Sequence, residues 1–276
     1  LSGVPDAVAL SQDKVGMAIG NGIGSVICNT AMILAISIIF TPSVIKRKDF
    51  APKSAILIIA VAALFLLSLS GSFSMVGAVI LLIIFALYIF ENVRSAKSEH
   101  SEAGSEAPAK DKKSVIMNIL RIVVGAACIV IGSRLLVDNG SKIASSWGVS
   151  EAIIGVTIVA IGTSLPELVT AITSIIKKQS SMSVGNIIGA NVIDTTLILA
   201  TCSFVYGGKL PVSVQNIYLD FPIAIIVSAI AAVPTIIKGR FSRWQGFMML
   251  AIYIVYLLIS TVWLAPYLSL FGAKLA

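Results

Sequence analysis

The chain has 276 residues, of which 57% are hydrophobic and only 12% charged, with a formal net charge of +7. A mean hydropathy of +1.00 lies outside the range of soluble globular domains and marks an integral membrane protein. The positive charge, which in a soluble chain would point to nucleic acid, falls here in short loops between apolar runs.

The chain opens on LSGVPDAVALSQDKVGM, without a methionine or a visible signal peptide, and reads as the remainder of a longer protein. Eight apolar runs follow, each long enough, at roughly 17 to 25 residues, to cross a bilayer core. They lie near residues 15–40, 54–71, 72–93, 115–137, 152–177, 183–206, 217–237 and 245–264. Residues 94–114, RSAKSEHSEAGSEAPAKDKKS, cannot bury a core and predict a disordered linker that divides the chain into halves. Cys28, Cys128 and Cys202 all lie in apolar runs without metal-ligand spacing. The single histidine, His100, falls in the linker, which leaves no histidine proton relay.

Loop charges predict the orientation. If the runs alternate sides, one side holds Lys46, Arg47, Lys48, Lys53, Arg94, Lys97, Lys110, Lys112, Lys113, Lys177, Lys178, Lys238, Arg240 and Arg243, and the other only Lys14, Lys142, Lys209 and Lys274. By the positive-inside rule the linker is cytoplasmic and the C-terminus lies outside. These cations read first as solvated topology signals.

The fifth run, AIIGVTIVAIGTSLPELVTAITSIIK, should not be a plain helix, because its centre reads Gly162, Thr163, Ser164, Leu165, Pro166, Glu167. Pro166 has no amide hydrogen for the carbonyl of Gly162 and its ring clashes there, so the helix kinks or breaks and carbonyls are released at mid-membrane depth. Glu167 sits at the same depth, where a charge costs on the order of 3 kcal/mol on insertion scales unless partnered. A carboxylate, two hydroxyls and loose carbonyls together suit a hard cation such as Ca²⁺ or Na⁺.

An internal repeat places a second element beside this one. GNGIGSVICNTAMILA at 20–35 aligns without a gap on GNIIGANVIDTTLILA at 185–200, with identity at eight of sixteen positions. The copies fall in the first and sixth runs, so they cross the membrane in opposite directions. This is the inverted-repeat architecture in which a site forms near the midplane between two halves. Ser25, Cys28 and Asn29 in one copy, and Asn191 and Asp194 in the other, are polar groups near glycines. They can serve either tight helix packing with interhelical hydrogen bonds or a site opposite Glu167.

GTSLPE at 162–167 followed by GNIIGANVID at 185–194 resembles the second signature repeat of the cation/Ca²⁺ exchanger superfamily, the sodium/calcium exchanger-like antiporters. GNGIGSVICN at 20–29 resembles the second half of their first. The resemblance implies an all-α membrane protein of two inverted five-helix halves, with discontinuous helices at the midplane. Eight of ten expected spans are present: residues 1–93 hold three spans of the first half, 94–114 the linker, and 115–276 the five of the second. It further implies Glu167 as a principal Ca²⁺ carboxylate, Thr163 and Ser164 as oxygen donors, and the Ala160 backbone carbonyl as a Na⁺ ligand. Asp194 and Asn29 flank the centre, and Ser25 supplies a Na⁺ hydroxyl. Ala190 stands where the family usually has a matching serine, which puts one Na⁺ position in doubt. The GTSLPE-like segment of the first repeat is absent as such; a gapped alignment brings Asp6 opposite Glu167, though an outer loop suits Pro5 and Asp6 as well.

The function expected is alternating-access antiport of Ca²⁺ against Na⁺, with proton coupling through the carboxylates as the alternative. A cation channel is a further reading. An intramembrane aspartyl protease needs paired Tyr-Asp and Gly-x-Gly-Asp signatures that this chain lacks. No enzymatic activity and no cofactor are expected; the partners are the bilayer and the transported inorganic cations, with no nucleic acid and no obligate protein. Arg134 with Asp138, Arg121, Glu91 and Asp220 lie toward span ends and need not touch the cargo.

Overall fold

The computed structural model describes residues 17–102, 112–147, 160–177 and 180–260. The first span is α1 (Met17–Cys28), a π-helical turn at Asn29–Leu34, and α2 (Ala35–Phe40). It is followed by α3 (Arg47–Ser68), a short strand β1 (Ser72–Ser74), α4 (Met75–Glu102) and α5 (Lys112–Ser146). The second half begins with a broken span, α6 (Ala160–Thr163) and α7 (Leu165–Ile176), and continues into α8 (Ser180–Ile193). A second π turn, Asp194–Ile198, leads to α9 (Leu199–Val205) and strand β2 (Lys209–Pro211). A third π turn, Asn216–Asp220, opens α10 (Phe221–Lys238), and α11 (Arg243–Leu258) closes the described chain.

Among the described residues six helices are long and apolar enough to cross a membrane, and α7 and α11 are shorter apolar helices. The protein is therefore an all-α membrane protein, as composition required. Ala18–Phe40 and Ser181–Val205, the spans with the paired π turns, form the centre, with 72% and 61% of their apolar windows buried. Met117–Ser146 buries none of its window and turns Ile119, Leu120, Ile122 and Val123 outward, as a lipid-facing helix should.

The two central spans run antiparallel, and their hydrogen bonds show it. Asn29 Nδ2 donates to Asn191 Oδ1 at 3.0 Å, and Ser37 Oγ to Ser183 Oγ at 3.3 Å. As one chain advances from Asn29 to Ser37, its partner retreats from Asn191 to Ser183. The π turns begin at Asn29 and Asp194, the same position of the sequence repeat.

The loops pair in the same inverted manner. β1 pairs antiparallel with β2 (Ser72 with Pro211, Phe73 with Leu210, Ser74 with Lys209) at one end of α3 and α10. At the other end Val44 bridges Arg240, with Ile45 N donating to Gly239 O at 3.1 Å and Phe241 N to Ser43 O at 2.9 Å. Both pairings bury aromatic side chains, Phe73 and Phe241, beneath them.

Three boundaries differ from the sequence reading, and one of them is the end of α5, which runs to Ser146 rather than stopping near 137. α3 starts at Arg47 rather than near 54, because its first turns are polar and carry Pro52, so they lack an apolar signature although they are helical. α4 runs on to Glu102, into the segment read as linker. Its Ala, Lys, Glu and Arg residues are good helix formers, and Arg94 Nη1 lies 3.4 Å from Glu91 Oε2.

Close backbone approach holds α11 to the first span. A Cβ on Gly246 would lie 2.7 Å from the Ala35 carbonyl oxygen and 2.6 Å from Ile39 Cγ1. Gly246→Ala is expected to cost about 1–3 kcal/mol by overpacking. A lowered melting temperature of the detergent-solubilised protein would report it, and an unchanged one would show that the crossing is loose.

Candidate cation site

The fifth span breaks where the sequence requires it to. α6 ends at Thr163, Ser164 leaves the helical region at φ −91°, ψ 7°, and α7 resumes at Leu165 with Pro166 in its first turn. There the missing proline N–H costs nothing, since first-turn amides have no partner within the helix. Glu167 consequently sits in the first turn of α7, at the positive end of its dipole. The break is held against α5, because a Cβ on Gly162 would clash with Val137 Cγ2. α7 is tied to α8 by Asn186 Nδ2, which donates to Thr170 Oγ1 at 2.9 Å; that hydroxyl donates to the Glu167 carbonyl at 2.8 Å.

From the two central spans, one in each half, the π turns present Asn29 and Asp194, both buried at 1% and 2% exposure. A π turn adds a residue to the helical circuit and reorients side chains, and such turns recur at functional sites. Asn191 fixes the first of them: its Oδ1 accepts from Asn29, its Nδ2 donates to Thr30 Oγ1 at 2.8 Å, and its carbonyl accepts from Thr195 Oγ1 at 2.7 Å. The Asn29 amide nitrogen is thus committed to packing. Its Oδ1 is buried with no hydrogen-bond partner among the described residues.

The two elements meet at Cys28. Its thiol lies beside the Ser164 and Tyr253 hydroxyls and near the Glu167 carboxylate. Apart from this thiol, Ser164 Oγ is buried with no hydrogen-bond partner among the described residues, and Glu167 Oε2 is buried with none. Ser25, 4% exposed, lies four residues before Asn29 and so on the same helix face. Thr163 and Ala160 bound the short α6, which packs against α1. Ala190, four residues before Asp194, offers only a methyl group at the position matching Ser25. Asp6 lies outside the described residues.

Two buried acceptors with no donor among the described residues, Asn29 Oδ1 and Glu167 Oε2, and Ser164 Oγ, with the Cys28 thiol beside it, therefore lie where the broken span packs against the π turn of the first span. A buried acceptor left unmatched costs about 1–3 kcal/mol. The arrangement is sound if the missing partner is a cation, and carboxylate, amide and hydroxyl oxygens are the donors hard cations select.

Some of the polar interior was not legible in the sequence. Tyr253 of α11 is 5% exposed and reaches the centre, yet it reads as one more aromatic in an apolar run. Asp220, near the start of its span, is buried at 3% exposure rather than turned to solvent. It accepts from Asn216 Nδ2 at 2.7 Å and from Gln215 Nε2 at 3.5 Å, and Gln215 also donates to Ser260 Oγ at 2.9 Å. The spacing of Asn216 and Asp220 put them on one helix face, a signal that the position of Asp220 at the end of an apolar run concealed.

The sequence model of the sodium/calcium exchanger protein family matches residues 4–93 and 117–262. The chain is 30% identical over 255 residues to the uncharacterized membrane protein MJ0091 of Methanocaldococcus jannaschii, covering 90% of this chain and 78% of that one. It is 31% identical over 142 residues to the sodium/calcium exchanger MaX1 of Methanosarcina acetivorans, covering 51% of this chain and 40% of that protein. Among solved structures it resembles the sodium-calcium exchanger NCX_Mj soaked with Na⁺ and Sr²⁺, with a TM-score of 0.78 and 29% identity over 95% of this chain and 82% of that one. These relatives are transporters rather than enzymes where their names state an activity, and the family match extends through both halves. The chain belongs to the sodium/calcium exchanger family of membrane cation antiporters.

Proposed function

We propose that this antiporter exchanges Ca²⁺ for Na⁺ by alternating access at one set of oxygens. Glu167 is the principal carboxylate, Asp194 and Asn29 flank it from the π turns, and Ser25, Thr163, Ser164 and the Ala160 carbonyl complete the shell. The observation that carries this reading is the group of buried oxygens at Asn29, Ser164 and Glu167 that no nitrogen or oxygen donor satisfies among the described residues. Among the described residues no group of three or more His, Cys, Asp or Glu could hold a metal. A shell of mostly neutral oxygens with few charges suits an ion that must leave again, more than a resident metal. An empty carboxylate at this depth is costly, so the two halves, residues 1–93 and 115–276, interchange outward and inward states only when loaded. The charge bias of the loops supports a cytoplasmic linker at residues 94–114, and the cell membrane is the setting proposed for it.

A second reading, proton coupling, is favoured by Ala190, which removes a Na⁺ hydroxyl while leaving the carboxylates in place. Radiolabelled Ca²⁺ uptake into proteoliposomes separates the two. Uptake driven by an outward Na⁺ gradient and not by a proton gradient supports Na⁺ exchange, and the converse supports proton exchange. Uptake that needs no counter-ion on the opposite side would make the protein a channel and defeat both. Ala190→Ser is expected to lower the Na⁺ concentration for half-maximal exchange by about fivefold, one hydroxyl ligand being worth about 1 kcal/mol; no change would remove this position from the Na⁺ shell.

A further inference from the structure

Where the Val44–Arg240 bridge joins the two halves, a cavity of about 400 Å³ is lined by Pro42, Ser43, Val44, Arg240, Ser242 and Arg243, with Phe241 at its base. Arg240 and Arg243 are exposed, and neither forms an ion pair among the described residues. Ser43 is 7% exposed, and its Oγ is buried with no hydrogen-bond partner among the described residues. α11, which has 16 residues, starts at Arg243 and adds the positive end of its dipole. The neighbouring Arg47 is already used, its Nη2 donating to the Ile237 carbonyl at 2.6 Å at the end of α10.

Two guanidinium groups, an unmatched hydroxyl and a helix N-terminus converge on an anion with several acceptor oxygens, which describes a phosphate group. The rim tells which phosphate. Val44 is 79% exposed, Phe40 70% and Phe247 60%, and Trp244, 45% exposed, stacks under Lys238 Nζ at 5.7 Å from its ring. An apolar, aromatic rim beside a cationic cup at the end of three spans is the boundary between headgroups and acyl chains. We infer that this cup binds the phosphate of an anionic phospholipid and that the lipid clamps the junction between the two halves at this membrane face. Ser43 donates its hydroxyl proton to a phosphate oxygen, Arg240 and Arg243 flank it, and the acyl chains lie along Val44 and Phe40.

The inference stands apart from the identity of the transported ions. Its test is native mass spectrometry of the full chain, purified from vesicles of phosphatidylcholine with and without phosphatidylglycerol. The variants compared are Arg240→Gln/Arg243→Gln, Ser43→Ala and the charge-matched Lys48→Gln/Lys53→Gln. The expected result is one phosphatidylglycerol retained by the wild type and by the lysine variant. Retention by the arginine variant should be about tenfold weaker, with a smaller loss in Ser43→Ala. Inorganic phosphate added as competitor displaces the lipid only partly if the acyl chains contribute. Equal retention by the two charge-matched variants would mean general electrostatics and overturn the site. Full displacement by phosphate with no dependence on acyl chains would assign the cup to a soluble anion and overturn the lipid. Melting curves of each variant without lipid identify any that fails to fold, in which case Arg240→Lys/Arg243→Lys, which keeps charge but loses the fork geometry, takes its place.

Discussion

Glu167→Gln is expected to abolish Ca²⁺ uptake while leaving the fold intact. The substitution preserves volume and keeps an oxygen, but it removes the charge that offsets the divalent ion and adds an N–H₂ group beside other buried groups. Loss of an outer partner of a metal ligand typically costs about 10–100-fold in affinity. Removal of a ligating carboxylate should exceed that, so uptake should fall by about 100-fold or more. Stability should hold or rise, because Glu167 Oε2 has no partner among the described residues and the amide is cheaper to bury than a carboxylate. Radiolabelled uptake alongside a melting curve checks both halves of this expectation. Retained uptake would mean that Glu167 is a structural acid and the cargo passes elsewhere.

Asn191→Leu should have the opposite signature, a large loss of stability with a loss of transport that follows from it. Asn191 makes no claim on the cargo in this account, since its Oδ1, Nδ2 and carbonyl are committed to Asn29, Thr30 and Thr195. Leucine removes the two interhelical side-chain bonds, worth about 0.6 kcal/mol each in membranes, and strands Asn29 Nδ2 at a further cost of about 1–3 kcal/mol. The sum is about 2–4 kcal/mol, visible as a clear fall in melting temperature. Asn29, no longer held, would present its amide to the site in either orientation, and the apparent Ca²⁺ affinity should weaken with it. A variant as stable as the wild type would show that the Asn29–Asn191–Thr30 chain does not hold the two halves together.

Much of this architecture was legible in the residues. Pro166 after Gly162 announced the broken span, and the repeat of GNGIGSVICN in GNIIGANVID announced two antiparallel central spans before any contact was known. What sequence patterning could not supply were contacts that depend on which faces meet. The π turns leave no mark on hydropathy, yet they begin at the repeat-equivalent Asn29 and Asp194. Asn191 reads equally as a ligand or as packing, and only its three partners assign it to packing. Asp220 lies at the end of an apolar run, where a surface position is the ordinary expectation; the donors that permit its burial, Asn216 and Gln215, lie in the same turn. The polar first turns of α3 hid a helix start for the complementary reason, having no apolar face to read.

Exchange at a single site requires Ca²⁺ and its counter-cation to compete for one set of oxygens. Isothermal titration of Ca²⁺ into the purified full chain, repeated as Na⁺ is raised at constant ionic strength and pH, tests it most directly. The apparent Kd for Ca²⁺ is expected to climb steadily with Na⁺, with no resolvable binding heat in Glu167→Gln. A Kd indifferent to Na⁺, or undiminished Ca²⁺ binding by Glu167→Gln, would contradict it.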